Sequence, residues 1–440
     1  MSSLKFRFSV LHLRDIGFKN LALWVCALIC LSALVGSFCA LFLWCLEEVT
    51  HLRLVYPFLL YCLPATGAVI GLLYAKWGGA SERGNNLLLE EIHKPDKGVP
   101  LRMAPLVFIG TVSSHLCGAS VGREGTALQI GGAIASSLAR LFRLTPELQR
   151  LYLIAGLAAG FGAVFGTPIA GAVFALEVLA IGRLDYSALF PSLLASIMAD
   201  WVCQKWGIHH TVYHVMFDDM GLHTGGYYAV NAALMVKICL ASIVFGLISR
   251  FFAESVHRLT PVLKRLFPSF WLRPFMGGVA TILLVWLLGT RDYLGLGIIP
   301  PEPAGASLVT FFSTHHYDWA WALKMLFTVL ALASGFKGGE VTPLFFIGAA
   351  LGNALAPLLG VPPELLAAVG FISVFAAAAN TPLACTFMGV ELFGSAGLIY
   401  YALGCWLAYL CSGHKGIYTA QKIMTPKALL CRHSGGAFPK

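Results

Sequence analysis

Charge is what this 440-residue chain has least of. Asp, Glu, Lys and Arg together make up 12% of it, about half the roughly 25% of a soluble globular domain. That excludes a soluble multidomain protein. Disulfide patterning is lacking too. The 12 cysteines are scattered singly, mostly inside apolar runs (Cys26, Cys30, Cys39, Cys239, Cys405), with no Cys-x-x-Cys anywhere, so no disulfide framework is encoded and they read as buried, reduced thiols. The formal charge of +9 would suggest nucleic acid in a soluble domain. Here Lys and Arg flank the apolar runs, as membrane topology demands, and nucleic acid is not an expected partner.

What is abundant is apolar length. The uncharged runs Asn20 to Leu46 and Leu54 to Ala75 each exceed the roughly 20 residues that cross a bilayer as helix. The first is too long for a signal-peptide core and reads as a retained span. The 46 glycines suit helices that pack backbone to backbone in lipid. The expected class is therefore an all-α, polytopic membrane protein.

Gaps in the charge pattern orient it. Residues 1 to 19 carry four basic side chains against one acidic, and residues 413 to 440 carry five basic and none acidic, which places both termini in the cytoplasm. Between Trp206 and Val236 there is no Lys or Arg, so this polar mid-chain stretch is expected outside. Each half then crosses an odd number of times, and the two halves run in opposite orientation. The organisation expected is a cytoplasmic segment 1–20, a first repeat 21–205, an external loop 206–228, a second repeat 229–412, and a C-terminal helix and tail 413–440 carrying Tyr418.

The halves also share motifs. Gly122-Arg123-Glu124-Gly125-Thr126-Ala127-Leu128 and Gly338-Gly339-Glu340-Val341-Thr342-Pro343-Leu344 have G-x-E-x-T-x-L in common at an offset of 216 residues. Thr167-Pro168 leading to Glu177 matches Thr381-Pro382 leading to Glu391 at an offset of 214. Two motifs in one order at nearly one offset indicate an inverted-topology repeat, an architecture that puts binding sites at the midplane where interrupted helices meet. Each G-x-E-x-T motif lies between apolar stretches too short to span alone, with glycines that permit a break. A helix starting just after Glu124, and another after Thr342-Pro343, would aim free N–H groups and positive dipole ends at the same place, which makes an anion site without lysine.

Several side chains bear on that site. A carboxylate at Glu124, in an apolar context, costs roughly 2.5–3.5 kcal/mol on insertion scales; it either pairs with Arg123 or competes with an anion for the helix ends when ionised and carries a proton when neutral. Glu340 either caps a helix or shares that chemistry, and Thr342 either caps or offers its hydroxyl to an anion. Glu177 and Glu391 read as scaffold, bonding the amides of a neighbouring break. Gly84-Asn85-Asn86 is ordinary turn chemistry that can also present amide donors. His209, His210, His214, Asp218, Asp219 and His223 invite a metal site, but the poor helix former between His210 and His214 makes exterior loop histidines the better account. Ser113-Ser114-His115 are adjacent, not facing, so an intramembrane hydrolase is not expected, and neither is a cofactor or metal.

Taken together, Gly122-Arg123-Glu124-Gly125, Gly338-Gly339-Glu340-Val341-Thr342-Pro343 and Tyr418 resemble the three anion-site signatures of the CLC family of anion channels and proton-coupled antiporters, over nearly the whole chain. The resemblance implies a homodimer of an inverted-repeat fold of about 18 membrane helices with a pore in each subunit. By it Glu124 is the gating, proton-carrying glutamate and Tyr418 supplies a hydroxyl at the central anion site, joined by Arg83, Gly84, Asn85, Gly122, Arg123, Gly125, Glu340, Val341 and Thr342. Where chloride-handling members read Gly-Ser-Gly-Ile-Pro, Gly-Arg-Glu-Gly-Pro and Gly-Ile-Phe-Ala-Pro, this chain has Arg83-Gly84-Asn85-Asn86, Thr126 for the proline, and Gly339-Glu340-Val341-Thr342-Pro343. These departures resemble the bacterial fluoride-exporting clade, whose members exchange fluoride for protons, and imply an inner-membrane fluoride/proton antiporter, with a chloride channel or chloride/proton exchanger as the alternative. Arg83 then attracts anions at the inner mouth or points to cytoplasmic phosphates. Val178 stands where chloride/proton antiporters carry an internal glutamate, so Glu124 itself is expected to move between outward and inward contacts and to hand its proton towards Glu340.

Overall fold

The computed structural model describes residues 18–427 apart from 214, 216–222, 225–226, 229–230, 303 and 314. The ends of both tails, and the loop residues His214, Asp218 and Asp219, lie outside that range. The first half builds α1 (Phe18–Val55), α2 (Leu63–Leu73), α3 (Asn85–His93), α4 (Met103–Leu116), α5 (Glu124–Leu141), α6 (Pro146–Phe165), α7 (Pro168–Glu177) and α8 (Leu189–Lys205). The second builds α9 (Ala232–Leu266), α10 (Leu272–Leu288), α11 (Ala320–Ser334), α12 (Val341–Leu359), α13 (Pro363–Ala379), α14 (Pro382–Phe393) and α15 (Leu398–Cys411).

Six helical segments among the described residues are long and apolar enough to cross a membrane, while α4, α7, α10, α11, α13 and α14 are apolar but only 10–17 residues long. Short helices of this kind satisfy their backbone only where protein covers their broken ends. Fifteen α-helices form among the described residues, with short 3-10 turns between them, and among those residues no α-helix follows α15. Residues 413–421 run as turns and extended chain, and Lys422–Ile423 pairs in parallel with Ala180–Ile181. This stretch, with Gly413 at φ +75° and Gly416 in it, gives its polar groups to the ends of other helices instead of to a ladder of its own.

Packing repeats in the two halves. α5 lies against α6 and α12 against α13 with glycine at each crossing: a Cβ on Gly131 would strike the carbonyl of Gly156, and one on Gly348 that of Gly370. Such small-residue contacts let backbones approach closely where lipid offers no hydrophobic drive. α6 ends at Gly166 (φ +68°, ψ +31°) and α13 at Asn380 (φ +58°, ψ +41°), both left-handed, the conformation that stops a helix and that Gly and Asn tolerate best. α7 and α14 then begin with Thr followed by Pro at the first helical position, where the missing N–H costs nothing.

The thiols divide by face. Cys39 and Cys405 are buried as expected, but Cys26 is exposed on α1, and the described cysteines are all free. An apolar run on a membrane helix has an outer face as well as an inner one, and residue type alone does not tell them apart.

Candidate functional site

The two G-x-E-x-T loops meet in the centre of the molecule. Gly122 and Gly339 form an isolated antiparallel bridge, Gly122 N–H donating to the Gly339 carbonyl (2.6 Å) and Gly339 N–H to the Gly122 carbonyl (2.7 Å). This reciprocal pair joins the two motifs one residue out of register, since Gly122 is the counterpart of Gly338. Glycine is needed here because a Cβ on Gly339 would overlap the Glu124 carboxylate.

From this bridge α5 and α12 diverge. α5 starts at Glu124, close to where its sequence places it. α12 starts at Val341, three residues earlier than expected, because Pro343 falls within the first turn, where its absent N–H has no intrahelical partner to lose.

Glu124 is fully buried, and its carboxylate occupies the N-terminus of the other half's helix. Oε1 accepts from Val341 N–H (2.5 Å); Oε2 accepts from Thr342 N–H (3.2 Å), the Thr342 hydroxyl (2.8 Å) and Arg123 N–H (2.9 Å). Contact with Arg123 is thus through its backbone; the guanidinium Nε is buried without a partner. Hydrogen bonds to an ionised acceptor contribute about 1.5–3 kcal/mol each, so this set can hold a carboxylate against its burial cost. Whatever holds a carboxylate there also suits a small anion.

Glu340 does not repeat the arrangement. It stands as the residue preceding α12 but its side chain makes no cap bond; it faces a cavity of about 170 Å³ that it shares with Glu124, Gly125, Gly84, Asn85 and Tyr418. Tyr418 is buried and packs edge-on against Phe174 (6.4 Å between ring centres). Asn85 opens α3 with its Oδ1 buried and unpartnered, and Gly84 before it is left-handed at φ +57°. Arg83 reaches the same cavity, but its guanidinium is held by Glu90 on α3. Arg83, Gly84, Asn85, Gly125, Glu340 and Tyr418 thus line one cavity with Glu124, while Gly122, Val341, Thr342 and the Arg123 backbone lie around the Glu124 carboxylate; the Arg83 guanidinium is turned to Glu90.

Thr126 has a second consequence beyond its hydroxyl, which bonds Thr111 of α4 (2.7 Å). It restores to the first turn of α5 the N–H that a proline would delete. α5 thus presents one more free donor near the cavity.

Glu177 and Glu391 behave as scaffold. Glu177 accepts from Leu383 N–H (3.0 Å) and Ala384 N–H (2.8 Å) at the start of α14, and Glu391 accepts from Ile169 N–H (2.9 Å) and Ala170 N–H (2.8 Å) at the start of α7. Each half caps the other. His210 packs against α8 with Nε2 3.6 Å from Asp200 Oδ1.

The sequence offered no pointer to two further lining residues. Lys337, just before the second motif, extends its ammonium over the Tyr74 ring at 3.9 Å from the centroid, and both line the cavity. A lysine beside a glycine pair signals nothing by itself; its place is set by α2 and the turn after it, distant in sequence.

These features define an all-α membrane protein of two inverted repeats whose broken helix ends and a buried carboxylate meet at one cavity. Residues 66–413 match the model of the voltage-gated chloride channel family, and the chain belongs to that family, the CLC channels and antiporters; it is not an enzyme. A chloride/fluoride channel protein of Pseudomonas syringae pv. tomato is 49% identical over 409 residues, covering 92% of this chain and 87% of its own. An H+/Cl− exchange transporter of Yersinia pestis is 27% identical over 342 residues, 72% of this chain and 67% of its own. Among solved structures, a CLC-type fluoride/proton antiporter superposes with a TM-score of 0.84 at 35% identity, covering 92% of this chain and 99% of its own.

Proposed function

We propose that this protein exports fluoride from the cytoplasm of a bacterium in exchange for protons, as a homodimer in the inner membrane with both termini cytoplasmic and the repeats divided near 205 and 229. The observation that carries the reading is the seat of Glu124: its carboxylate takes Val341 N–H, Thr342 N–H and the Thr342 hydroxyl, donors that an anion would take in its place. When ionised, Glu124 and the anion compete for this seat. Protonation removes the charge that the helix end favours, frees the seat, and loads a proton for transfer towards Glu340. That competition ties anion movement to proton movement.

Fluoride rather than chloride is supported by the donor set. A small, strongly hydrated anion needs its lost water replaced by several strong donors; Asn85, Gly125 and Tyr418 line one cavity with Glu124, and Thr342 and the α12 amides hold the Glu124 carboxylate beside it. Thr342 and the added Thr126 N–H lie where the chloride-handling pattern has alanine and proline. The chloride/fluoride relative and the fluoride/proton antiporter fold match point the same way. A chloride channel or exchanger on the same fold is the alternative. Fluoride and chloride efflux from liposomes holding the purified protein separates them: fluoride is expected to leave far faster, and equal rates would favour the alternative.

A further inference from the structure

Tyr418 reaches the cavity from a segment with no secondary structure of its own, so something else must fix it. Its carbonyl receives the backbone N–H of Gln421 (3.4 Å), closing a turn. The Gln421 side chain is then fully engaged. Nε2 donates to the Val178 carbonyl (2.9 Å) and the Ala379 carbonyl (2.7 Å), and Oε1 accepts from Asn380 Nδ2 (2.9 Å).

Those two carbonyls have a common origin. Val178 directly follows α7 and Ala379 ends α13, and the last carbonyls of a helix have no intrahelical donor. One amide thus closes a helix end from each repeat and sets the turn that carries Tyr418. From the other side, Ala420 N–H donates to Asn86 Oδ1 (3.0 Å), and Asn86 is the neighbour of Asn85. The separation between the Asn85 amide and the Tyr418 hydroxyl, which flank the cavity, is therefore set by bonds on residues 420 and 421.

We infer that Gln421 is the positioning residue for Tyr418 and, through it, a determinant of anion selectivity. Hydrophobic packing of the ring against Phe174 holds Tyr418 in depth; Ile417 N–H on the Ala378 carbonyl (2.9 Å) and the pairing of Lys422–Ile423 with Ala180–Ile181 anchor the chain before and after it, and the Gln421 and Asn86 bonds fix the turn between those anchors. A smaller ion demands a closer, stiffer set of donors, and slack in this turn favours the larger one. The inference rests on the fluoride-selective reading above.

Fluoride and chloride efflux would be measured for wild type, Gln421→Leu, Asn380→Gly, Tyr418→Phe and the Gln421→Leu/Tyr418→Phe double variant, each first shown monodisperse by gel filtration. Asn380→Gly removes one of the three bonds while keeping the left-handed backbone that glycine accepts without strain, and it carries the test if Gln421→Leu does not fold. Since misplacement by about 1 Å can cost about a hundredfold, the fluoride-to-chloride ratio is expected to fall about ten- to a hundredfold in Gln421→Leu, less in Asn380→Gly. In the Tyr418→Phe background Gln421→Leu is expected to add nothing. A folded Gln421→Leu with the wild-type ratio, an unchanged Asn380→Gly should Gln421→Leu fail to fold, or effects of Gln421→Leu and Tyr418→Phe that multiply, would overturn the inference. A wild type without fluoride preference would overturn the reading beneath it instead.

Discussion

At the scale of single residues, the proposed coupling rests on the Glu124 carboxylate and the donors it occupies. Glu124→Gln keeps the size of the side chain but neither competes as an anion nor carries a proton. It is expected to leave fluoride permeation while abolishing proton movement, read as fluoride efflux without a pH change in the liposome lumen. Thr342→Val keeps the α12 amides and removes one hydroxyl. Loss of a hydrogen bond to a charged partner of about 1.5–3 kcal/mol predicts fluoride turnover slower by about ten- to a hundredfold, with chloride turnover less affected. An equal loss for both ions would mean the hydroxyl serves the fold.

Much of this residue-level picture was legible in advance. Glu124, Glu340 and Thr342 stand out because polar residues in apolar sequence need a reason, and the repeated motif doubles the signal, whereas Tyr418 was legible only through the family resemblance. What was not legible is which donor faces which acceptor. The Arg83–Glu90 pair, the Lys337–Tyr74 stack and the three bonds of Gln421 join residues whose proximity follows only from helix packing. The choice between an Arg123 ion pair and a helix-end seat for Glu124 was likewise open until the backbone fixed where α12 begins.

At the scale of elements, the fold is held by helix ends exchanged between the halves. Glu177 caps α14 and Glu391 caps α7, so each short helix depends on the opposite repeat. The Thr-Pro…Glu spacing made this legible, since a Pro at the first helical position marks an end that needs an acceptor. Glu177→Ala leaves two amides without acceptors, at a cost of roughly 3 kcal/mol, and is expected to lower the thermal midpoint in detergent by several degrees. Glu391→Ala should cost less, because Glu391 is less buried than Glu177 and water can replace part of what it gives. Equal losses would contradict that difference. The course of the described residues after α15 was not legible: basic, polar sequence there is compatible with a helix, whereas residues 413–421 run without one and give Ile417 N–H and the Gln421 amide to the ends of α7 and α13.

At the scale of the whole molecule, two halves of opposite orientation meet at a glycine bridge with their helix ends turned to one cavity. The repeat is not followed by the side chains: Glu124 takes the helix end opposite it, whereas Glu340 leaves its own side chain in the cavity. A symmetrical pair would hold both ends closed. The proposed homodimer predicts a mass of two chains, each 47.3 kDa, by light scattering in mild detergent, with transport by one subunit unaffected by an inactivating substitution in the other.

The central claim is that anion and proton movements are tied together at Glu124, and it is tested most directly by recording luminal pH in liposomes loaded with fluoride while the membrane potential is clamped at zero. The account predicts that fluoride leaving down its gradient drives protons inward against theirs. Fluoride efflux with no uphill proton movement would contradict it and leave a passive anion channel.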